Sequence, residues 1–227
     1  VLIIIAAAWT IYHELKTQFL KNNASDASNA SVFIDSKLSH AQELLALFAS
    51  VPASERQPLA ERRFDTFSDL YSVNDSGRIT TIYKATPQSR LFTGYAFSAG
   101  PVWRQLLSDS NVARLSTIVA GYEDGDPSVY LAYRAQSETI LGRLDLSYIQ
   151  NFINQYSRIT GNVLLLTTDK GVVMISGRPD LVVPRIDIEA LEANHDLSLT
   201  LELDGQRWAP IISDSPALGA RLAVLVP

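Results

Sequence analysis

Residues 68–84 read SDLYSVNDSGRITTIYK, and residues 162–178 read NVLLLTTDKGVVMISGR. Each stretch is a run of apolar, β-branched or aromatic residues, then Asp-x-Gly, then a second such run. Asp75 and Gly77 in the first are answered by Asp169 and Gly171 in the second. Asp and Gly accept the turn dihedrals that other residues resist, so each stretch reads as a β-hairpin. Two hairpins of one design in a single chain predict two related α+β modules in tandem.

The rest of the chain builds outward from those hairpins. Upstream, from His13 to about Ser50, there is no Pro and no Gly. Ile34, Leu38, Ala41, Leu45 and Phe48 recur at spacings of 4, 3, 4 and 3, a helical stripe close to a heptad seam. One helix from Val1 to Ser50 would be about 75 Å long. Its stripe has two readings: packing on the chain's own sheets, or pairing with a second copy. The middle of the helix, NNASDASNAS (22–31), is weakly apolar, and its Ala content favours helix over a flexible break. Asn23, Asn29 and Asn74 each open an Asn-x-Ser triplet, a glycosylation pattern that Ser/Asn-rich stretches produce by chance.

Past Pro52, a short helix is expected over Pro58–Arg63, then strands over Phe67–Val73, Arg78–Lys84 and Leu91–Phe97. A helix over Pro101–Leu107 precedes strands Arg114–Ala120, Ser128–Arg134 and Thr139–Leu146. Ser147–Ile159 reads as a linking helix with Ser147 as N-cap and Ile149, Phe152, Ile153 and Tyr156 on its apolar face. The second module adds a helix (Ile188–Asn194) and strands Leu197–Leu203, Arg207–Ile212 and Arg221–Val226. Neither module alternates strand and helix as a parallel sheet requires, so the fold class is α+β with antiparallel sheets.

Composition narrows the function. The chain has 227 residues and is 47% hydrophobic, which supports a packed core. A net charge of −5 with a pI near 5.2 argues against a nucleic-acid partner, which needs Lys and Arg on its phosphates. Cysteine is absent, which removes disulfides, thiol catalysis and Cys-ligated zinc. VLIIIAAAWTIY (1–12) is apolar and ends in aromatic residues. At 12 residues it reaches about 18 Å against a hydrocarbon core of about 30 Å. It reads first as the end of a transmembrane helix, with Trp9 and Tyr12 at the interface, and second as a buried amphipathic start or a signal-peptide remnant.

The order and spacing of these segments resemble the double-CACHE sensor domains of bacterial receptors. LYSVNDSGRI (70–79) is similar to that family's first sheet hairpin, and LFTGYAFSAGPVWRQLL (91–107) to the loop and helix over the membrane-distal sheet. PSVYLAYRAQSETILGRLDLSYIQNFI (127–153) resembles the last distal strands running into the linker helix. LLLTTDKGVVMISGRPD (164–180) resembles the membrane-proximal hairpin. The resemblance implies five parts: residues 1–12, the end of a truncated transmembrane helix; 13–63, the long helix and a connecting segment; 64–146, a membrane-distal PAS-like module; 147–160, a linker helix; and 161–227, a membrane-proximal PAS-like module. It further implies a periplasmic domain of a bacterial inner-membrane signalling protein, a homodimer when full length. The output domain would be a diguanylate cyclase or phosphodiesterase first, a histidine kinase second and a chemoreceptor third.

In such a domain the distal module holds a small ligand. Arg90, Tyr95, Trp103, Arg104, Tyr122, Asp124, Tyr130 and Tyr133 are its candidate ligand-binding residues. Arg grips a carboxylate bidentately, Asp pairs with an ammonium, and aromatic faces cover cations. Tyr130 and Tyr133 are three positions apart and point to opposite faces of one strand. Amino-acid-binding members of the family carry Arg-x-Trp followed by an aromatic residue. Here Trp103-Arg104 stands in reversed order and no such run follows, which counts against an amino-acid ligand and leaves a carboxylate, a different amine or no ligand at all. No catalytic residue, metal site or cofactor is expected: His13, His40 and His195 lack metal-ligand spacing, and Glu123, Asp124 and Asp126 lack that of a calcium loop. The alternative is a docking or dimerisation module without a ligand.

Overall fold

A computed structural model describes residues 2–87, 89–97, 106, 114–116, 119–120, 127–135, 138–168, 170–179, 186–187, 201–203, 205–215 and 220–227. Helix α1 (Leu2–Ser50) runs unbroken through the weakly apolar middle segment. Among the described residues no helix is long and apolar enough to cross a membrane. Helix α2 (Ala53–Arg63) follows. Strands β1 (Phe67–Val73), β2 (Ile79–Lys84), β3 (Arg114–Leu115), β4 (Val119–Ala120), β5 (Pro127–Ser128), β6 (Tyr130–Ala135) and β7 (Glu138–Leu144) lead to helix α3 (Ser147–Thr160). Then come β8 (Val163–Thr168), β9 (Val173–Ser176), β10 (Leu201–Leu203), β11 (Gln206–Ser215) and β12 (Ala220–Val226).

The chain divides into two compact units. One comprises Ile34–Phe152 and Pro216–Ala220; the other comprises Val1–Phe33, Ile153–Ser215 and Arg221–Pro227. The first carries a five-stranded antiparallel sheet in the order β2-β1-β7-β6-β3. The second carries a five-stranded sheet in the order β10-β11-β12-β8-β9, with β10–β11 and β8–β9 antiparallel. The fold is α+β, as the absence of strand–helix alternation within each module predicts.

The two hairpins match down to their hydrogen bonds. In the first, Gly77 N–H donates to Asn74 O at 2.8 Å and Asn74 N–H to Arg78 O at 3.0 Å. In the second, Gly171 N–H donates to Thr168 O at 2.9 Å and Thr168 N–H to Val172 O at 2.9 Å. Gly77 and Gly171 sit at φ 76° and 78°, where an L side chain is strained. In each, a later segment returns to the glycine: Phe97 N–H donates to Gly77 O and Ile186 N–H to Gly171 O, both at 2.8 Å. The side chain that organises the first turn is Asn74, not Asp75. Its Oδ1 accepts from Ser76 N, Ser76 Oγ and Arg78 N, while Asp75 lies outside and pairs with Arg134 at 3.2 Å. Thr168 Oγ1 accepts Val172 N–H in the equivalent place.

The helical stripe Ile34, Leu38, Ala41, Leu45 and Phe48 is fully buried within the chain. That decides between its two readings: it packs on the chain's own structure and is closed to a second copy. Phe48 meets Phe64 and Tyr83 edge-on, with ring centroids 4.9 and 5.3 Å apart. Each such side chain contributes about 1.5–3 kcal/mol by leaving water. In the other unit the stripe continues through Asn23, Ala27 and Ala30. Asn23 is buried, and its Oδ1 accepts Asn162 Nδ2–H at 3.0 Å.

Several expectations change. Helix α2 begins at Ala53, ahead of Pro58. The stretch 91–97 is not a strand: it turns, with an isolated bridge between Ala96 and Arg78, the residue ahead of β2. Gly94 N–H and Tyr95 O both bond to Ile79, which turns the backbone back instead of extending it. The strand foreseen over 114–120 is split between β3 and β4, in different sheets. Asp145, not Ser147, caps α3: its Oδ1 accepts Ser147 N–H at 2.9 Å. The helix expected over 188–194, and that over 101–107 apart from Leu106, lie outside the described residues.

Candidate functional site

Alternation along β1, β6 and β7 sorts their side chains between two faces of the first sheet. On one face Tyr71 stands beside Leu141, and Leu141 beside Ala132. In the next row Asp69 stands beside Arg143, and Arg143 beside Tyr130. The returning segment lies over this face: Leu91 and Phe97 join Tyr71, Val73, Ile79, Leu106, Tyr130, Ala132 and Leu141 in one cluster, with Tyr95 and Ile82 packed against it. An aromatic chain runs across it. Phe92 to Tyr95, Tyr95 to Phe97 and Phe97 to Tyr71 have centroids 6.0, 5.3 and 6.2 Å apart.

Two opposite charges are sunk into the same face. Asp69 is fully buried and Arg143 nearly so, with 3.8 Å between Oδ2 and Nη1. Asp69 Oδ1 accepts Thr86 N–H at 2.7 Å and Oδ2 accepts Ser68 Oγ–H at 2.9 Å. Buried charges persist only with such partners. The face thus holds aromatic surface with a carboxylate and a guanidinium set beside each other.

Of the predicted site residues, Tyr95 and Tyr130 come together in this cluster. Tyr130 is held there by a pair of bonds, its N–H to Ser116 Oγ at 2.9 Å and Ser116 N–H to its carbonyl at 2.8 Å. Tyr133 pairs with Ile140 and is half-buried, on the opposite face from Tyr130 as the spacing predicts. Arg90 is exposed. Trp103, Arg104, Tyr122 and Asp124 lie outside the described residues, as does the acidic run 123–126. Among the described residues no group of three metal-ligating side chains gathers.

Sequence reasoning missed Asp69 and Arg143. Their signal was a charge inside an otherwise apolar strand, FSDLYSV and ETILGRL. It also missed the opposite face, where Arg56 is buried. Arg56 donates Nε–H to Val51 O and Nη2–H to Ala49 O, both at 2.8 Å, and Nη1–H to Glu138 Oε1 at 2.5 Å. The other Glu138 oxygen accepts Ser72 Oγ–H. Burial alone would raise the Glu138 carboxyl, but the Ser72 hydrogen bond and then Arg56 outweigh it and hold its pKa below the usual value. Burial would likewise lower the Arg56 pKa, and its bonds to Glu138 and Tyr83 hold it above the ordinary value.

The corresponding cluster of the second unit is aliphatic. Among the described residues Val163, Leu165, Ile186, Ala223 and Leu225 surround one aromatic, Trp208, with Val173 and Ile212 at the margin.

No protein-family model matches the sequence, and no curated protein does. Solved structures match over nearly the whole chain. The ligand-binding domain of the Pseudomonas fluorescens chemoreceptor CtaA, in complex with L-isoleucine, is 17% identical with a TM-score of 0.68, covering 96% of this chain and 96% of that one. That of Campylobacter jejuni chemoreceptor Tlp3, with L-norvaline, is 13% identical with a TM-score of 0.69, covering 94% and 92%. That of the Pseudomonas aeruginosa PAO1 amino acid chemoreceptor PctC, with GABA, is 16% identical with a TM-score of 0.63, covering 92% and 100%. The fold is therefore that of bacterial chemoreceptor ligand-binding domains, the two-module PAS-like arrangement of double-CACHE sensors.

Proposed function

We propose that this chain is the extracytoplasmic sensing domain of a bacterial membrane signalling protein. It binds a small polar molecule on the aromatic face of its first module and passes the event across the membrane to an output domain. In this reading residues 64–146 are the membrane-distal module, 161–227 the membrane-proximal one, and Arg90, Tyr95, Trp103, Arg104, Tyr122, Asp124 and Tyr130 approach the ligand. The supporting observation is the union of buried Asp69 and Arg143 with the Tyr71–Phe97–Tyr95 aromatics on one sheet face, in a fold whose similar structures hold amino acids. A carboxylate or amine fits the same groups.

Thermal-shift screening against amino acids, other carboxylates and amines tests this. A ligand at a hundredfold its Kd stabilises by about 2.7 kcal/mol, a rise in Tm of roughly 5–10 °C for a chain this size. Arg90→Ala, Tyr122→Ala and Asp124→Ala should reduce that rise. A hit that survives all three unchanged overturns the site; no hit across the panel favours a docking module without a ligand.

A further inference from the structure

We infer that Arg56 is the joint through which the ligand-bearing face of the first sheet is coupled to the end of α1. The inference rests on the reading of that face as a binding surface. Arg56 is a positioning residue and touches no ligand.

The geometry is local and complete. The carbonyls at the end of a helix lack intrahelical donors and carry the negative end of its dipole. Here a guanidinium takes Ala49 O and Val51 O, with two arms of its fork at fixed angles. The third nitrogen goes to the sheet, to Glu138 at the start of β7, with Tyr83 Oη of β2 at 3.4 Å. Glu138 is tied in turn to Ser72 of β1. One buried side chain thus joins α1, β2 and β7 directly, and β1 through Glu138.

The same strands carry the other face. Ser72 lies between Tyr71 and Val73, which belong to the aromatic cluster, and Glu138 lies three residues before Leu141. Adjacent residues on a strand point to opposite faces. A shift that repacks Tyr71 or Leu141 therefore moves Ser72 and Glu138, and with them the group that holds the end of α1. Lysine cannot reproduce this: its ammonium lacks the planar fork that reaches two carbonyls and a carboxylate at once.

The test needs no ligand, so its outcome is separate from that of the screen above. Hydrogen exchange at the amides of residues 46–51 is measured in the unaltered chain, in Leu141→Ala, in Arg56→Lys and in the double variant. Leu141→Ala disturbs the aromatic face; in the unaltered background it should speed exchange at the α1 end roughly tenfold. In the Arg56→Lys background the further change should be under twofold. Glu138→Gln keeps the fold if Arg56→Lys does not, and should also suppress the effect. An equal response to Leu141→Ala with and without the joint, or no response in either, overturns the inference.

Discussion

The hairpins of the two modules share a turn, a left-handed glycine and a returning segment that bonds to that glycine, yet the sheet faces they introduce differ in chemistry. The first face holds Tyr71, Tyr130, Phe97 and Tyr95 with Asp69 and Arg143 in the same layer. The second holds Val163, Leu165, Ala223 and Leu225 around one Trp. A backbone plan can thus be repeated while side-chain chemistry is reassigned. The turn needs only a glycine and a side-chain acceptor, which Asn74 and Thr168 both supply. The faces are free to differ, aromatic with a buried ion pair in one module and aliphatic in the other.

The largest effect that would sharpen this contrast comes from the buried charges. Arg143→Leu leaves Asp69 without its nearby guanidinium and should cost about 3–5 kcal/mol in urea unfolding. Adding Asp69→Asn should restore more than half of that. Leu165→Ala on the second face should cost a comparable 2–5 kcal/mol through its cavity, with no polar substitution nearby that rescues it. Failure of the Asp69→Asn rescue would mean that the charges of the first face are not coupled.

Next in size are the turns. Gly77→Ala and Gly171→Ala each force a side chain to φ near +77° and should cost about 1–2 kcal/mol, equal within about 0.5. Unequal costs, measured as urea midpoints, would break the equivalence of the hairpins.

The smallest effects lie in pH dependence. Glu138 is held below its ordinary value of 4.5, so its contribution is present above that pH and is lost as pH falls through the lower folded value. Ser72→Ala should remove about 1 kcal/mol of this and flatten the acid limb of the stability curve. In the other unit burial, aided by the Asp26 charge, holds the Tyr156 phenol above its usual 10. That contribution is present below pH 10 and is lost as pH rises through the folded value, and Tyr156→Phe should flatten the alkaline limb.

Much of the architecture was legible because its causes are local. A 3.6-residue apolar period fixes α1, and paired β-branched runs about a glycine fix the hairpins. The stripe's cover was less legible, since periodicity is the same whether a partner helix or the chain's own sheet covers it; self-packing is the plainer reading, and burial bears it out. Segment 91–97 has strand-like composition, but bonds from Gly94 and Tyr95 to Ile79, set by tertiary contact, turn it. In the site, aromatic density pointed to Tyr95 and Tyr130. Asp69, Arg143 and Arg56 were missed because a charge in a strand or short helix gains meaning only when its partner, 74 or 82 positions away, is placed beside it.

The most direct measurement is hydrogen exchange of the whole chain with and without saturating L-isoleucine, L-norvaline or GABA, or any molecule that raises its Tm. The account predicts slowed exchange at residues 69–73, 91–97, 130–134 and 139–143 and a change at 46–51 through Arg56, with 163–168 and 220–226 unchanged. Protection concentrated in the second set, with the first unaffected, would contradict it.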